Sequence, residues 1–133
     1  VMEVHGSIET SSCYECAASY RLEEVDELFD EEGVAICREC GGHVRPDVVL
    51  FGELLPERAL AEAEELCANA DLLLCVGSSL EVHPVAALPA ATLARGGRGA
   101  LVTKGPTPYD SDAAVKLSGD VVEELEGVLA ALG

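Results

Sequence analysis

The rhythm of apolar and polar positions changes near residue 46. From residue 47 onward, short aliphatic runs alternate with longer stretches whose apolar positions recur every three or four residues. Asp47-Val-Val-Leu50 reads as a short buried strand. Pro56 opens a predicted helix to about Ala70, with Ala59, Leu60, Ala63, Leu66, Cys67 and Ala70 on one apolar stripe. Asp71 to Val76 is a continuous apolar run ending at Gly77, as expected of a parallel strand buried on both faces. Pro84 to Arg95 reads as a second helix, stopped by Gly96-Gly97. Gly99 to Val102 and Ala113 to Leu117 read as further strands. A last amphipathic helix runs from Val121 to Leu132, with Val121, Val122, Leu125, Val128, Leu129 and Leu132 directed inward.

This alternation predicts an α/β fold with a Rossmann-like, doubly wound parallel sheet. Such a sheet normally starts with a glycine-rich phosphate loop. No GxGxxG or similar loop occurs, so the sheet is expected to be incomplete at its N-terminal side. Residues 11–46 differ: they are polar and cysteine-rich, with one predicted helical segment, Leu22 to Glu32, presenting Val25, Leu28 and Phe29 on one face. The expected organisation is a partial Rossmann-like domain, residues 1–10 and 47–133, with a small zinc ribbon, residues 11–46, inserted in it.

Composition narrows the partners. The 133 residues suit one domain or part of a larger one, and 49% are hydrophobic, enough for a packed core. No run of about 18 apolar residues predicts a membrane span, and no stretch reads as a signal peptide. With 25 acidic and 8 basic residues the net charge is −17, which repels phosphates, so no direct nucleic-acid binding is expected. The acidity suits a solvated surface, a high-salt setting or attraction to Lys-rich protein substrates. Two of six cysteines, Cys67 and Cys75, lie in apolar stretches, and the other four form two CxxC pairs. In a chain expected to be cytoplasmic, such pairs read as metal ligands before disulfides.

Cys13-x2-Cys16 and Cys37-x2-Cys40, separated by 20 residues, can present four thiolates to one tetrahedral zinc ion. Four cysteines leave no open coordination position, so the expected role is structural. The same set could hold an iron–sulfur cluster or act as redox thiols, and His43 is a nearby substitute ligand. His5-Gly6 precedes the first cysteine by eight residues, and a neutral imidazole there could act as a general base. Gly77-Ser78-Ser79 follows a predicted strand, at the carboxyl end where doubly wound folds bind ligands. It also suits an ordinary turn. Phe51-Gly52-Glu53 could pair with an extended peptide or simply turn the chain.

In order and spacing, these pieces resemble the sirtuin family. The resemblance runs through VHGS at 4–7, both CxxC pairs, CGGHVRPDVVLFGELLP at 40–56, VGSSLEVHPVAALP at 76–89 and LVTKGPTPYD at 101–110. It corresponds to the C-terminal two-thirds of the family and implies an NAD-dependent protein lysine deacetylase or deacylase. Such an enzyme releases nicotinamide and forms free lysine and O-acyl-ADP-ribose. By resemblance, His5 is the catalytic base acting on the ribose hydroxyls of NAD. Gly77, Ser78, Ser79, Thr103, Lys104, Gly105 and Asp120 contact NAD. Backbone at Val49, Phe51, Gly52 and Glu53 and at Glu81, Val82 and His83 flanks the acyl-lysine peptide. Cys13, Cys16, Cys37 and Cys40 hold structural zinc.

Thr103 stands where the family usually has asparagine, exchanging an amide donor and acceptor for one shorter hydroxyl and leaving the ribose contact to backbone. The family's glycine-rich pyrophosphate loop and Gln-Asn-x-Asp nicotinamide motif precede the His-Gly pair and do not occur here, so the chain is expected to be truncated and inactive alone. A non-catalytic zinc- and peptide-binding fragment is the alternative.

Overall fold

The computed structural model describes residues 1–133, which form two units, Val1–Ala59 and Leu60–Gly133. In the first, β1 (Gly6–Cys13), β2 (Ser19–Arg21) and β3 (Val44–Val48) make an antiparallel sheet in the order β2-β1-β3. The strand expected from residue 47 therefore starts at Val44 and pairs with β1, and it is not part of the parallel sheet. Pro46 is compatible with this edge placement. It lacks an N–H donor and is accommodated on an edge strand.

The helix expected over Leu22 to Glu32 is much shorter. Helix α1 (Leu22–Val25) passes into a 3-10 turn (Asp26–Leu28), and Phe29 leaves to bridge Ala35. The Asp30 carboxylate accepts the N–H groups of Glu32 and Val34, at 3.1 and 2.8 Å. That local turn competes with helix for the same backbone donors. Leu28 is buried and Val25 partly so, but Phe29 is exposed. The core of this unit consists of Cys13, Tyr20, Leu28, Ala35 and Cys37, with Ala18, Val25 and Val44 against it. Two of its five buried members are candidate metal ligands.

Strand and helix alternate in the second unit as the pattern predicted. It comprises α2 (Glu57–Ala68, whose first residues precede the division), β4 (Leu72–Val76), a 3-10 turn (Val85–Ala87), α3 (Leu88–Ala94), β5 (Arg98–Val102), β6 (Val115–Leu117) and α4 (Val121–Leu132). The sheet is parallel, in the order β4-β5-β6, which is the expected Rossmann-like α/β arrangement. Central strand β5 carries the core through Ala100, Leu101 and Val102. Thr92 is fully buried, and its hydroxyl donates to the Cys67 carbonyl at 2.7 Å, tying α3 to the end of α2.

Burial departs from the expected pattern at three places. Strand β4 is not buried on both faces: Leu72, Leu74 and Val76 are exposed while Leu73 and Cys75 are half-buried. As an edge strand it has one neighbour, and one of its faces is left uncovered within this unit. In α2, Ala63 and Cys67 are buried but Leu66 is exposed. In α4 only Val121 and Leu125 of the inward set are half-buried, whereas Val122, Val128, Leu129 and Leu132 face outward. No helix is long and apolar enough to cross a membrane.

Candidate functional site

The two CxxC turns converge. All four sulfurs of Cys13, Cys16, Cys37 and Cys40 lie within 4.8 Å of one another, and Cys13–Cys40 and Cys16–Cys37 are 3.5 and 3.6 Å apart. Tetrahedral zinc with Zn–S near 2.3 Å requires sulfurs roughly 3.8 Å apart. The donor set and spacing thus fit zinc. Each knuckle is closed by a backbone bond, from Ala17 N–H to the Cys13 carbonyl and from Gly41 N–H to the Cys37 carbonyl, at 3.0 and 2.9 Å. His43 lies outside the cluster, 3.7 Å from the Glu15 carboxylate.

Tyr20, which sequence reasoning did not single out, supports this centre. It is buried, and its hydroxyl lies 3.1 Å from Cys37 Sγ. The hydroxyl oxygen accepts the Arg38 N–H at 3.0 Å, which leaves its proton for the sulfur. This contact pulls Cys37 down to about 6, whereas burial pushes Cys13 up to about 12. A divalent cation among the sulfurs supplies the charge that lets all four ionise. Tyr20→Phe keeps the ring and removes the donor. It is expected to lower zinc affinity about 10–100-fold, read by competition with a chromophoric chelator.

His5 sits where β1 begins. Its carbonyl accepts the Val49 N–H at 2.9 Å, so His5 and Val49 are joined through backbone. Gly6 makes this approach possible. Its φ is +74°, and a Cβ there would lie 1.9 Å from the Asp47 carbonyl oxygen, so only glycine fits. The register between β1 and β3 shifts just beyond, between Gly6 and Ser11. The His5 ring is exposed. After Val49 the chain turns through Leu50, Phe51 and Gly52, all exposed, and the Glu53 N–H returns to the Leu50 carbonyl at 3.0 Å. Arg45 holds both oxygens of Glu53 and keeps its carboxyl below the usual carboxylate range.

The parallel sheet gathers most of the expected cofactor residues. Val76, Val102 and Leu117 share a register row, so the chain leaves all three strands at one edge. Gly77-Ser78-Ser79, Thr103-Lys104-Gly105 and Asp120 follow at that edge. Gly77 has φ +64° with open space where a Cβ would be, and its N–H bonds to the Val102 carbonyl at 2.9 Å. Ser78 Oγ accepts the Leu80 N–H at 3.2 Å, and Thr103 N–H bonds to the Leu117 carbonyl at 3.0 Å. Lys104 Nζ meets Asp120 Oδ2 at 3.1 Å. Asp120 also caps α4, its other oxygen accepting the Val122 N–H at 3.0 Å. Glu81, Val82 and His83 lie exposed between β4 and the 3-10 turn.

Comparison with known proteins adds an independent result. The Sir2 family model matches residues 1–84. An NAD-dependent protein deacetylase of Thermotoga maritima is 42% identical over 123 residues, which is 92% of this chain and 50% of that protein. NAD-dependent protein deacylase 2 of Archaeoglobus fulgidus is 39% identical over 130 residues, 97% of this chain and 51% of the relative. A solved structure of Sir2Tm bound to a propionylated peptide superposes with a TM-score of 0.93 at 40% identity, covering 98% of this chain and 55% of that one. A Sir2 complex with a p53 peptide and NAD+ gives the same TM-score and coverage. The chain spans about half the length of these relatives, less than the two-thirds expected from its motifs.

Proposed function

The chain belongs to the Sir2 family, and from that premise we propose that it is part of an NAD-dependent protein lysine deacetylase or deacylase, with zinc in a structural role. The observation that carries the reading is the backbone bond between His5 and Val49. It sets the candidate base beside the candidate acyl-lysine loop.

In this reading NAD supplies the electrophilic ribose carbon and the nicotinamide leaving group. His5 holds and moves the proton of a ribose hydroxyl, and Gly6 gives its backbone the conformation this needs. Val49, Phe51, Gly52 and Glu53, and separately Glu81, Val82 and His83, offer backbone to an extended acyl-lysine peptide. Gly77, Ser78 and Ser79 receive the adenosine portion of NAD. Backbone at Thr103 and Gly105 serves its ribose, with Lys104 alongside and Asp120 toward the adenine. Cys13, Cys16, Cys37 and Cys40 hold the zinc, which supports structure only.

Residues 1–10 and 47–133 belong with the nucleotide-binding domain of the longer enzyme, and residues 11–46 are its zinc module. The four thiols suit a reducing, cytoplasmic location, and the charge of −17 disfavours nucleic-acid partners.

Alone, the 133-residue chain is expected to release no nicotinamide from NAD and an acetyl-lysine peptide. It has no glycine-rich loop for the pyrophosphate, and misplacement of a reacting group by an ångström costs about 100-fold. Joining it to the part of the Thermotoga maritima relative that it does not match should restore turnover, followed by chromatography of nicotinamide. Steady release by the chain alone, lost in His5→Ala, would contradict the expected inactivity. A folded, zinc-loaded chimera that binds peptide but releases no nicotinamide would instead mark a non-catalytic zinc- and peptide-binding module.

A further inference from the structure

We propose that Arg45 is a positioning residue that ties the first cysteine knuckle to the loop at residues 50–53, so that the zinc module sets the conformation of the candidate acyl-lysine loop. The inference rests on reading residues 49–53 as substrate-binding.

The tie is built from three contacts of one planar group. Arg45 lies on β3, paired in register with Ser12, next to the zinc ligand Cys13. Its guanidinium carbon sits 5.0 Å from the ring centroid of Tyr14, the residue inside the Cys13-x2-Cys16 turn. Its two terminal nitrogens then fork onto Glu53, Nη1 to Oε1 and Nη2 to Oε2, the second at 3.1 Å. Glu53 Oε2 also accepts the Leu50 N–H at 2.9 Å, closing the loop from inside.

The loop's own apolar side chains are not buried in this unit, Leu50 included. Phe51 is 97% exposed and Leu54 91%, and Gly52 adopts a φ of +90°. Besides the backbone bond from Glu53 N–H to the Leu50 carbonyl, the loop is held by the Glu53 carboxylate, and the carboxylate's position depends on Arg45. Only arginine can stack on a ring and fork a carboxylate with the same plane, so lysine is not an equivalent here. The pair is one-third exposed on each side, 32% for Arg45 and 34% for Glu53. Pairs of this kind contribute little to global stability. The consequence is local, in how often the loop opens. Glu53 accordingly acts through its side chain, where sequence reasoning assigned it backbone alone.

The test uses the zinc-loaded 133-residue chain and brief chymotrypsin digestion, with products identified by mass spectrometry. In Arg45→Met, cleavage after Phe51 should rise about tenfold relative to cleavage after Phe29, which lies in the same unit, with zinc stoichiometry unchanged. Tyr14→Ala should give a smaller rise, and Arg45→Lys should only partly restore protection. An unchanged Phe51 rate, or an equal rise at Phe29, would overturn the tie. In the active chimera, Arg45→Met should raise the peptide KM about tenfold and leave kcat and the NAD KM near their starting values. Faster Phe51 cleavage with an unchanged peptide KM would keep the Arg45 tie and overturn the substrate reading of the loop.

Discussion

Replacing Cys37 and Cys40 together by alanine is expected to abolish zinc binding and to unfold the unit Val1–Ala59. The unit has only five buried apolar residues in its core cluster, and two of them, Cys13 and Cys37, belong to the four-sulfur group. Units of this size are marginal on buried apolar surface alone, and this one's core is small. Structural zinc in small modules supplies roughly 10–16 kcal/mol of apparent binding energy at pH 7, as much as the whole stability of an ordinary domain. Losing two ligands also removes Cys37 as the partner of the Tyr20 hydroxyl. Metal analysis should give one zinc per wild-type chain and none in the variant. X-ray absorption on the wild type should show an all-sulfur shell. The near-ultraviolet circular dichroism of Tyr14 and Tyr20 should vanish, leaving Tyr109 as the one tyrosine outside this unit. Full zinc occupancy in the variant, or redox-active iron in the wild type, would overturn the zinc assignment.

His5→Ala, made in the active chimera, is expected to lower deacylation by about 10²–10⁴-fold, equivalent to roughly 3–5 kcal/mol of barrier. Folding and zinc content should be unchanged, because the His5 ring is exposed and what anchors the residue is its carbonyl bond to Val49 N–H. Alanine keeps that bond and removes only the imidazole. Gly6→Ala makes the contrast, since its Cβ would meet the Asp47 carbonyl and disturb the strand itself. Nicotinamide release, zinc stoichiometry and circular dichroism measured side by side separate the two effects. Undiminished turnover in His5→Ala would leave His5 with no role in the chemistry.

Much of the site was legible because its residues are held by local rules. The CxxC spacing brings two thiols to one turn whatever surrounds it, so the four-sulfur cluster was readable in advance. Gly77 was readable because it ends an apolar run, whereas Thr103 came only from the family resemblance; parallel strands release the chain at one edge, and both lie there. Tyr20 and Arg45 were not legible. Their partners, Cys37 and Glu53, lie 17 and 8 residues away and meet them only after the sheet and knuckles have formed.

The sequence alone determined the alternation of strand and helix after residue 56 and the candidate ligand set for the metal, while the need for glycine at position 6 emerged only from the folded approach of the Asp47 carbonyl. The first two follow from side-chain period and donor chemistry. Tertiary structure decided which apolar residues are covered. Leu72, Leu74 and Val76 have the character of a buried strand, yet they stay exposed because the face of β4 that they share is left uncovered within this unit. It also decided that Val44–Val48 joins an antiparallel sheet, since the same five residues suit either kind of sheet until a partner strand is present. Period and composition state what a segment can bury. Which surface receives it depends on contacts between residues far apart in the chain, and those exist only in the folded molecule.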